Sequence, residues 1–144
     1  VGLPVGVGEP MFGGVEGTLA KIIYGIPAVK GVEFGAGFGI TKMRGSNAND
    51  RYVERDGRVA TATNNNGGIT GGITNAMPVI VRAAFKPTPS IGKAQPTLDT
   101  NDMTERKLII RGRHDPCIVP RALPVVEAAV CIGLSDLMKE AGKL

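Results

Sequence analysis

The densest group of side chains able to do chemistry is Ile110-Arg111-Gly112-Arg113-His114-Asp115-Pro116-Cys117. It joins two guanidinium groups, the only histidine in the sequence and a carboxylate. Gly112 separates the arginines, and Pro116 stiffens the way out. An apolar run (Leu108 to Ile110) leads in, and a second, proline-marked one (Ile118 to Val126) leads out. A mixed-charge cluster between two buried segments must be paired or must hold a charged ligand. The stretch is therefore expected to meet an anionic small molecule. The bland alternative is a solvated loop with a local Arg–Asp ion pair.

A second candidate is Lys86-Pro87-Thr88-Pro89-Ser90-Ile91. Two prolines hold it extended, with an ammonium and two hydroxyls in set positions. Three donors on a stiff loop suit a phosphate or the edge of a flavin, although a rigid surface turn explains them nearly as well. The third is Gly67-Gly68-Ile69-Thr70-Gly71-Gly72-Ile73-Thr74, a Gly-Gly-Ile-Thr unit repeated with period four. Glycine at that density lets a planar ring or another backbone approach within contact distance. A glycine-rich packing face against a helix is the competing reading.

The elements that must carry these groups follow from periodicity. Apolar positions 15, 19, 22, 23 and 26 predict a helix, closed by Gly25 and Pro27. Residues 29–34 alternate as a strand, and the glycines at 35, 37 and 39 break it, with a short helix near 40–43. Residues 45–66 and 92–105 read as exposed or mobile loops. Residues 67–74 and 79–86 read as the two strands of one hairpin about a turn at 75–78. A last strand covers 105–110, and 120–144 reads as a central, buried helix because its first half is apolar nearly all round. The fold class is α+β, helices packed with a mostly antiparallel sheet, in a single unit over residues 1–144.

Composition narrows the function classes. The net charge of +4 favours anionic partners, but no Lys/Arg block or basic–aromatic interleaving points to nucleic acid. No apolar run is long enough for a membrane span, and no metal-ligand spacing occurs. Cys117 and Cys131 are expected to be buried free thiols in a reducing cytoplasm. The chain opens Val-Gly-Leu-Pro without methionine, which reads as a piece of a longer protein.

Six motifs in this order resemble the chorismate synthase family: Gly-Glu-Pro (8–10), Ile-Pro-Ala-Val-Lys-Gly-Val-Glu (26–33), Arg-Gly-Ser (44–46), Gly-Gly-Ile-x-Gly-Gly-Ile (67–73), Lys-Pro-Thr-Pro-Ser-Ile (86–91) and Gly-Arg-His-Asp-Pro-Cys (112–117). Pro-Arg-Ala-Leu-Pro-Val-Val-Glu-Ala (120–128) continues the likeness. The resemblance implies a β-α-β sandwich, a homotetramer, and conversion of 5-enolpyruvylshikimate 3-phosphate to chorismate by anti-1,4 elimination of phosphate with reduced FMN. It implies that Asp115 belongs to a proton relay near flavin N5, and that Arg113 holds anionic groups of substrate or cofactor. It marks Ala28, Gly71, Lys86, Pro87, Thr88, Pro89 and Ser90 as flavin-contacting positions. It also implies that this chain corresponds to the C-terminal portion, with the N-terminal half and its catalytic histidines missing. On that reading the isolated chain neither forms chorismate nor binds FMN tightly. A non-catalytic folding and oligomerisation fragment is the alternative from another class.

Overall fold

A computed structural model describes all 144 residues. Its first helix, α1 (Val15–Tyr24), follows the apolar spacing. Val15, Leu19 and Ile23 lie one turn apart on one face and are fully buried. Truncating Leu19 to Ala would cost about 2–5 kcal/mol on the usual scale for buried leucines. Glu16 in the first turn and Lys21 in the last complement the helix dipole. The Gly25 N–H bonds back to the Ile22 carbonyl and the Ile26 N–H to that of Ile23, and Pro27 forbids continuation.

The chain then enters β1 (Val29–Phe34), which pairs antiparallel with β6 (Val81–Phe85). The partner of β6 is thus β1, not the glycine repeat. The repeat closes on itself: β4 (Ile69–Thr70) pairs with β5 (Ile73–Thr74) about Gly71 and Gly72. Both glycines have positive φ, 61° and 86°, as a two-residue primed turn requires. A period of four left only two residues per strand, so the expected long hairpin over 67–86 does not form. The repeat packs instead on the N-terminal segment. Val15 N–H donates to the Gly72 carbonyl, and the buried Thr74 hydroxyl accepts from Val7 N–H and donates to the Pro4 carbonyl.

The stretches 45–66 and 92–105 are exposed but not irregular. The first forms a helical turn, α2 (Gly45–Ala48), and a hairpin of β2 (Tyr52–Arg55) and β3 (Arg58–Thr61) about Asp56-Gly57. The second forms most of a hairpin, β7 (Gln95–Asp99) with β8 (Thr104–Leu108). These strands are short and polar, so their alternation was hidden among turn residues. A 3-10 turn spans Gly37–Lys42.

The last helix, α3 (Val119–Glu140), packs on α1 through Ala129, Gly133 and Leu137. A Cβ at Gly133 would stand 2.8 Å from methyls of both Leu19 and Ile22, so glycine sets how closely the helices approach. The expected central burial is not found. Leu123 and Ile132 are about 60% exposed, and Cys117 and Cys131, expected buried, are also exposed. Apolarity all round told of a helix with two faces to cover, and this chain covers one. The accessible surface is 10119 Å², against about 7,000 Å² for a compact monomer of this mass.

Two features tie the middle of the chain. Gly35, at φ +55°, lies so close to Asn65 and Gly67 that a Cβ would overlap their backbone. Asp50 accepts hydrogen bonds from the Asn65 and Asn66 N–H groups, the Thr63 hydroxyl and the Asn66 amide, all at 2.7–2.8 Å. Partial burial would raise its pKa, but these bonds outweigh that effect and hold the carboxyl below its ordinary value.

Gly35→Ala is expected to lower stability by at least about 2 kcal/mol, since it meets backbone as well as a left-handed φ. Gly57→Ala, at φ +74° with nothing within 4 Å, should cost only about 1 kcal/mol in the same denaturant titration. Asp50 ionises more readily in the folded chain than in the unfolded one. Its stabilisation is therefore full above the unfolded value of 3.8 and disappears as pH falls through the lower folded value. An acid titration of melting temperature should show a loss in that window that Asp50→Asn flattens.

Candidate functional site

Two of the three expected segments meet. The β1–β6 ladder ends where the Lys86 N–H donates to the Ala28 carbonyl at 2.7 Å. Ala28 itself has φ +71°, a left-handed conformation that costs an alanine about 1 kcal/mol. β6 thus delivers Lys86-Pro87-Thr88-Pro89-Ser90 from a fixed strand end beside a strained turn. The β7–β8 hairpin then returns the chain, pairing Gln95 with Leu108, so that the residues before and after it lie side by side. Across that base the Ser90 hydroxyl lies 3.1 Å from His114 Nδ1, and His114 Nε2 lies 3.0 Å from the Ile110 carbonyl.

His114 therefore draws its neighbours Arg113 and Asp115 toward the lysine loop. Arg113 is exposed and, like Lys86 and Arg111, has no carboxylate partner. Asp115 is half-buried and accepts from Arg121 at 2.8 Å. The local Arg–Asp pair foreseen as the bland reading exists, but its cation is Arg121 in the first turn of α3. Thr88 Oγ1 is buried and has no hydrogen-bond partner. Such an orphaned hydroxyl is costly unless something else satisfies it.

Gly71 stands apart. It lies exposed at the β4–β5 turn, with nothing within 4 Å of where a Cβ would be. Its hairpin is tied to residues 4–15 rather than to the lysine loop. The cavity expected to join all three segments is not among the clefts of 240 to 560 Å³, whose walls are built by residues 6–13 with 137–141, by the β2–β3 hairpin with 76–78, and by the β1–β6 surface. Nor are Leu108 to Ile110 buried, so the charged cluster is not gripped between apolar segments as its sequence implied. No three metal-ligating side chains converge anywhere in the chain, and no helix is long and apolar enough to cross a membrane.

The sequence model of the chorismate synthase family matches residues 1–138. The chain belongs to the chorismate synthase family. It is 58% identical over 140 residues to a chorismate synthase of Dehalococcoides mccartyi strain BAV1, an alignment covering 97% of this chain and 38% of that protein. It is 56% identical over 140 residues to the chorismate synthase of Archaeoglobus fulgidus, covering 97% of this chain and 39% of the relative. A crystal structure of a chorismate synthase superposes with a TM-score of 0.74 at 31% identity, over 98% of this chain and 35% of that one. The α+β class with antiparallel strands and packed helices is thus that of part of a chorismate synthase. The chain spans well under half the length of these relatives.

Sequence reasoning gave Arg121 no role, although a cation six residues beyond Asp115, just past a helix start, was a usable signal. Arg121→Ala is expected to change stability by no more than about 0.5 kcal/mol, because its side chain is 72% exposed. A denaturant titration checks this, and a larger loss would mean that Arg121 holds α3 in place.

Proposed function

We propose that this chain supplies the cofactor- and phosphate-facing portion, C-terminal in the whole protein, of an enzyme that converts 5-enolpyruvylshikimate 3-phosphate to chorismate. The observation that carries the proposal is the 58% identity, over nearly the whole chain, to a relative of that name. The reaction removes a proton and inorganic phosphate across a 1,4 relation and leaves a new double bond. It would make the protein a lyase of the shikimate pathway, working in the cytoplasm as a homotetramer.

The side chains fit reduced FMN. Lys86 and Arg113 are cations without carboxylate partners, suited to phosphate. The buried Thr88 hydroxyl lacks a partner that a flavin edge could provide. Pro87 and Pro89 keep that loop extended, and the Ala28 backbone, bonded to Lys86, fixes its start. Gly71 offers an open, side-chain-free turn to a ring. Reduced FMN, when bound, supplies an electron-rich ring beside the substrate, and the overall reaction remains redox-neutral. Arg113 places fixed positive charge where the departing phosphate gathers negative charge. Asp115, held by Arg121, handles the proton as one member of a relay rather than as the sole base.

A second reading has a specific observation in its favour. The chain exposes about 3,000 Å² more surface than a compact monomer of its mass, including large apolar side chains on α3. It is thus also suited to be a module that folds and associates without chemistry. The intact mass of the native protein separates the two, a parent polypeptide well above 15.0 kDa supporting the enzyme. Self-association without chorismate formation or FMN binding is expected of the chain by itself. Turnover or tight stoichiometric FMN binding would overturn the need for further catalytic groups.

Asp115→Asn in the complete chorismate-forming protein should lower turnover by roughly 10²–10⁴-fold while leaving FMN and substrate binding nearly unchanged. Unchanged turnover would remove Asp115 from the mechanism.

A further inference from the structure

The contact between Ser90 and His114 is the one hydrogen bond that joins the lysine loop (86–91) to the segment carrying Arg113 and Asp115. Its chemistry is directional. The Ile110 carbonyl can only accept, so His114 Nε2, 3.0 Å away, must carry a hydrogen. In the neutral ring Nδ1 is then bare and accepts, and the Ser90 hydroxyl must donate to it.

The surroundings give this pair a task. β7 and β8 pack on each other and on little else, so the arm does not itself hold its two ends against the body. Every residue from Thr100 to Arg113 is exposed. The strand ladder stops at Gln95 and Leu108. Beyond it, the Gln95 amide reaches the Pro89 carbonyl only at 3.4 Å, and the next tie is Ser90 to His114. Gly92 lies beside the ring, where a Cβ would stand 3.9 Å from His114 Cδ2.

We infer that Ser90 and His114 form a hydrogen-bonded clamp that holds the Lys86–Pro89 segment in register with Arg113 and Asp115, and that His114 is a positioning residue. The clamp rests on the geometry alone, while its effect on catalysis rests on the proposed function. A hydroxyl that gives its proton to His114 keeps its lone pairs, so toward a flavin Ser90 can accept a hydrogen bond but not donate one.

Two measurements test it. In the 144-residue chain His114 is the only histidine, so a ¹⁵N–¹H long-range correlation of the imidazole reports one ring. At about pH 8, above the ordinary histidine range, the Nε2–H tautomer is expected. Ser90→Ala should move the Nδ1 resonance and leave the melting temperature nearly unchanged. An Nδ1–H tautomer, or an Nδ1 signal that ignores Ser90→Ala, overturns the clamp whether or not the protein makes chorismate. In the complete enzyme, Ser90→Ala and His114→Ala should each lower kcat/KM by about tenfold, with the double variant no worse than either. His114→Asn, which keeps an acceptor toward Ser90, should recover part of the loss. Additive losses would show that the two side chains act independently and reject the positioning role. A correct tautomer signature in a chain whose complete protein forms no chorismate would keep the clamp and reject the proposed reaction.

Discussion

The structure depends on a place where three stretches of backbone cross with no room for side chains. Gly35 N–H donates to the Ile80 carbonyl, Ala36 N–H to Asn65, and Ile80 N–H to Gly67. Gly35 and Gly67 both have positive φ there, and a Cβ on either would overlap the other's backbone. Close approach of this kind is open to glycine alone. The crossing sets the register of β6 against β1, and through it the point at which Lys86 meets Ala28. Asp50 secures the same crossing from outside by accepting from the Thr63 hydroxyl, the Asn65 and Asn66 N–H groups and the Asn66 side-chain amide. A glycine-rich composition that looked like a platform for a ligand is spent, at these positions, on packing backbone against backbone.

The second constraint is surface. Only 15 of 144 residues are buried, and seven of them make one small core from the N-terminal segment, α1, β1, β4 and α3. Val7, Val15, Leu19, Ile23, Val29, Ile69 and Leu137 form that core. The four two-stranded sheets do not join one another, and two of the four, β2–β3 and β7–β8, stand largely in solvent. An apolar helix face left open beside a small core is what a unit looks like when other protein is needed to complete the packing. This agrees with the span of the chain against its relatives, 38% of the Dehalococcoides protein.

The candidate site lies on the thin part of this architecture. Its parts come from a strand end, an extended proline loop and the segment before α3, and no thick core lies beneath them. Two ties therefore matter more than their individual strengths. The Ala28–Lys86 backbone bond fixes one end of the lysine loop, and Ser90–His114 fixes the other against Arg113 and Asp115. Surface ion pairs such as Asp115–Arg121 add direction to a side chain but little stability.

Much of this was legible in the letters. Helical spacing located α1 and α3, alternation located β1, and the run 79–86 located β6, because each is long enough for its period to repeat. Motif order alone pointed to the family. What the letters left undecided were matters of partnership. Whether β6 pairs with β1 or with the glycine repeat is a contact between residues some fifty positions apart, and no local pattern encodes it. The repeat closed on itself because two adjacent glycines with positive φ make a turn whatever follows them. The apolar character of α3 was plain, but which of its faces this chain covers was decided only by Gly133 meeting Leu19 and Ile22. The sequence likewise held the only histidine and a serine 24 residues before it. Only the return of the β7–β8 hairpin made them neighbours.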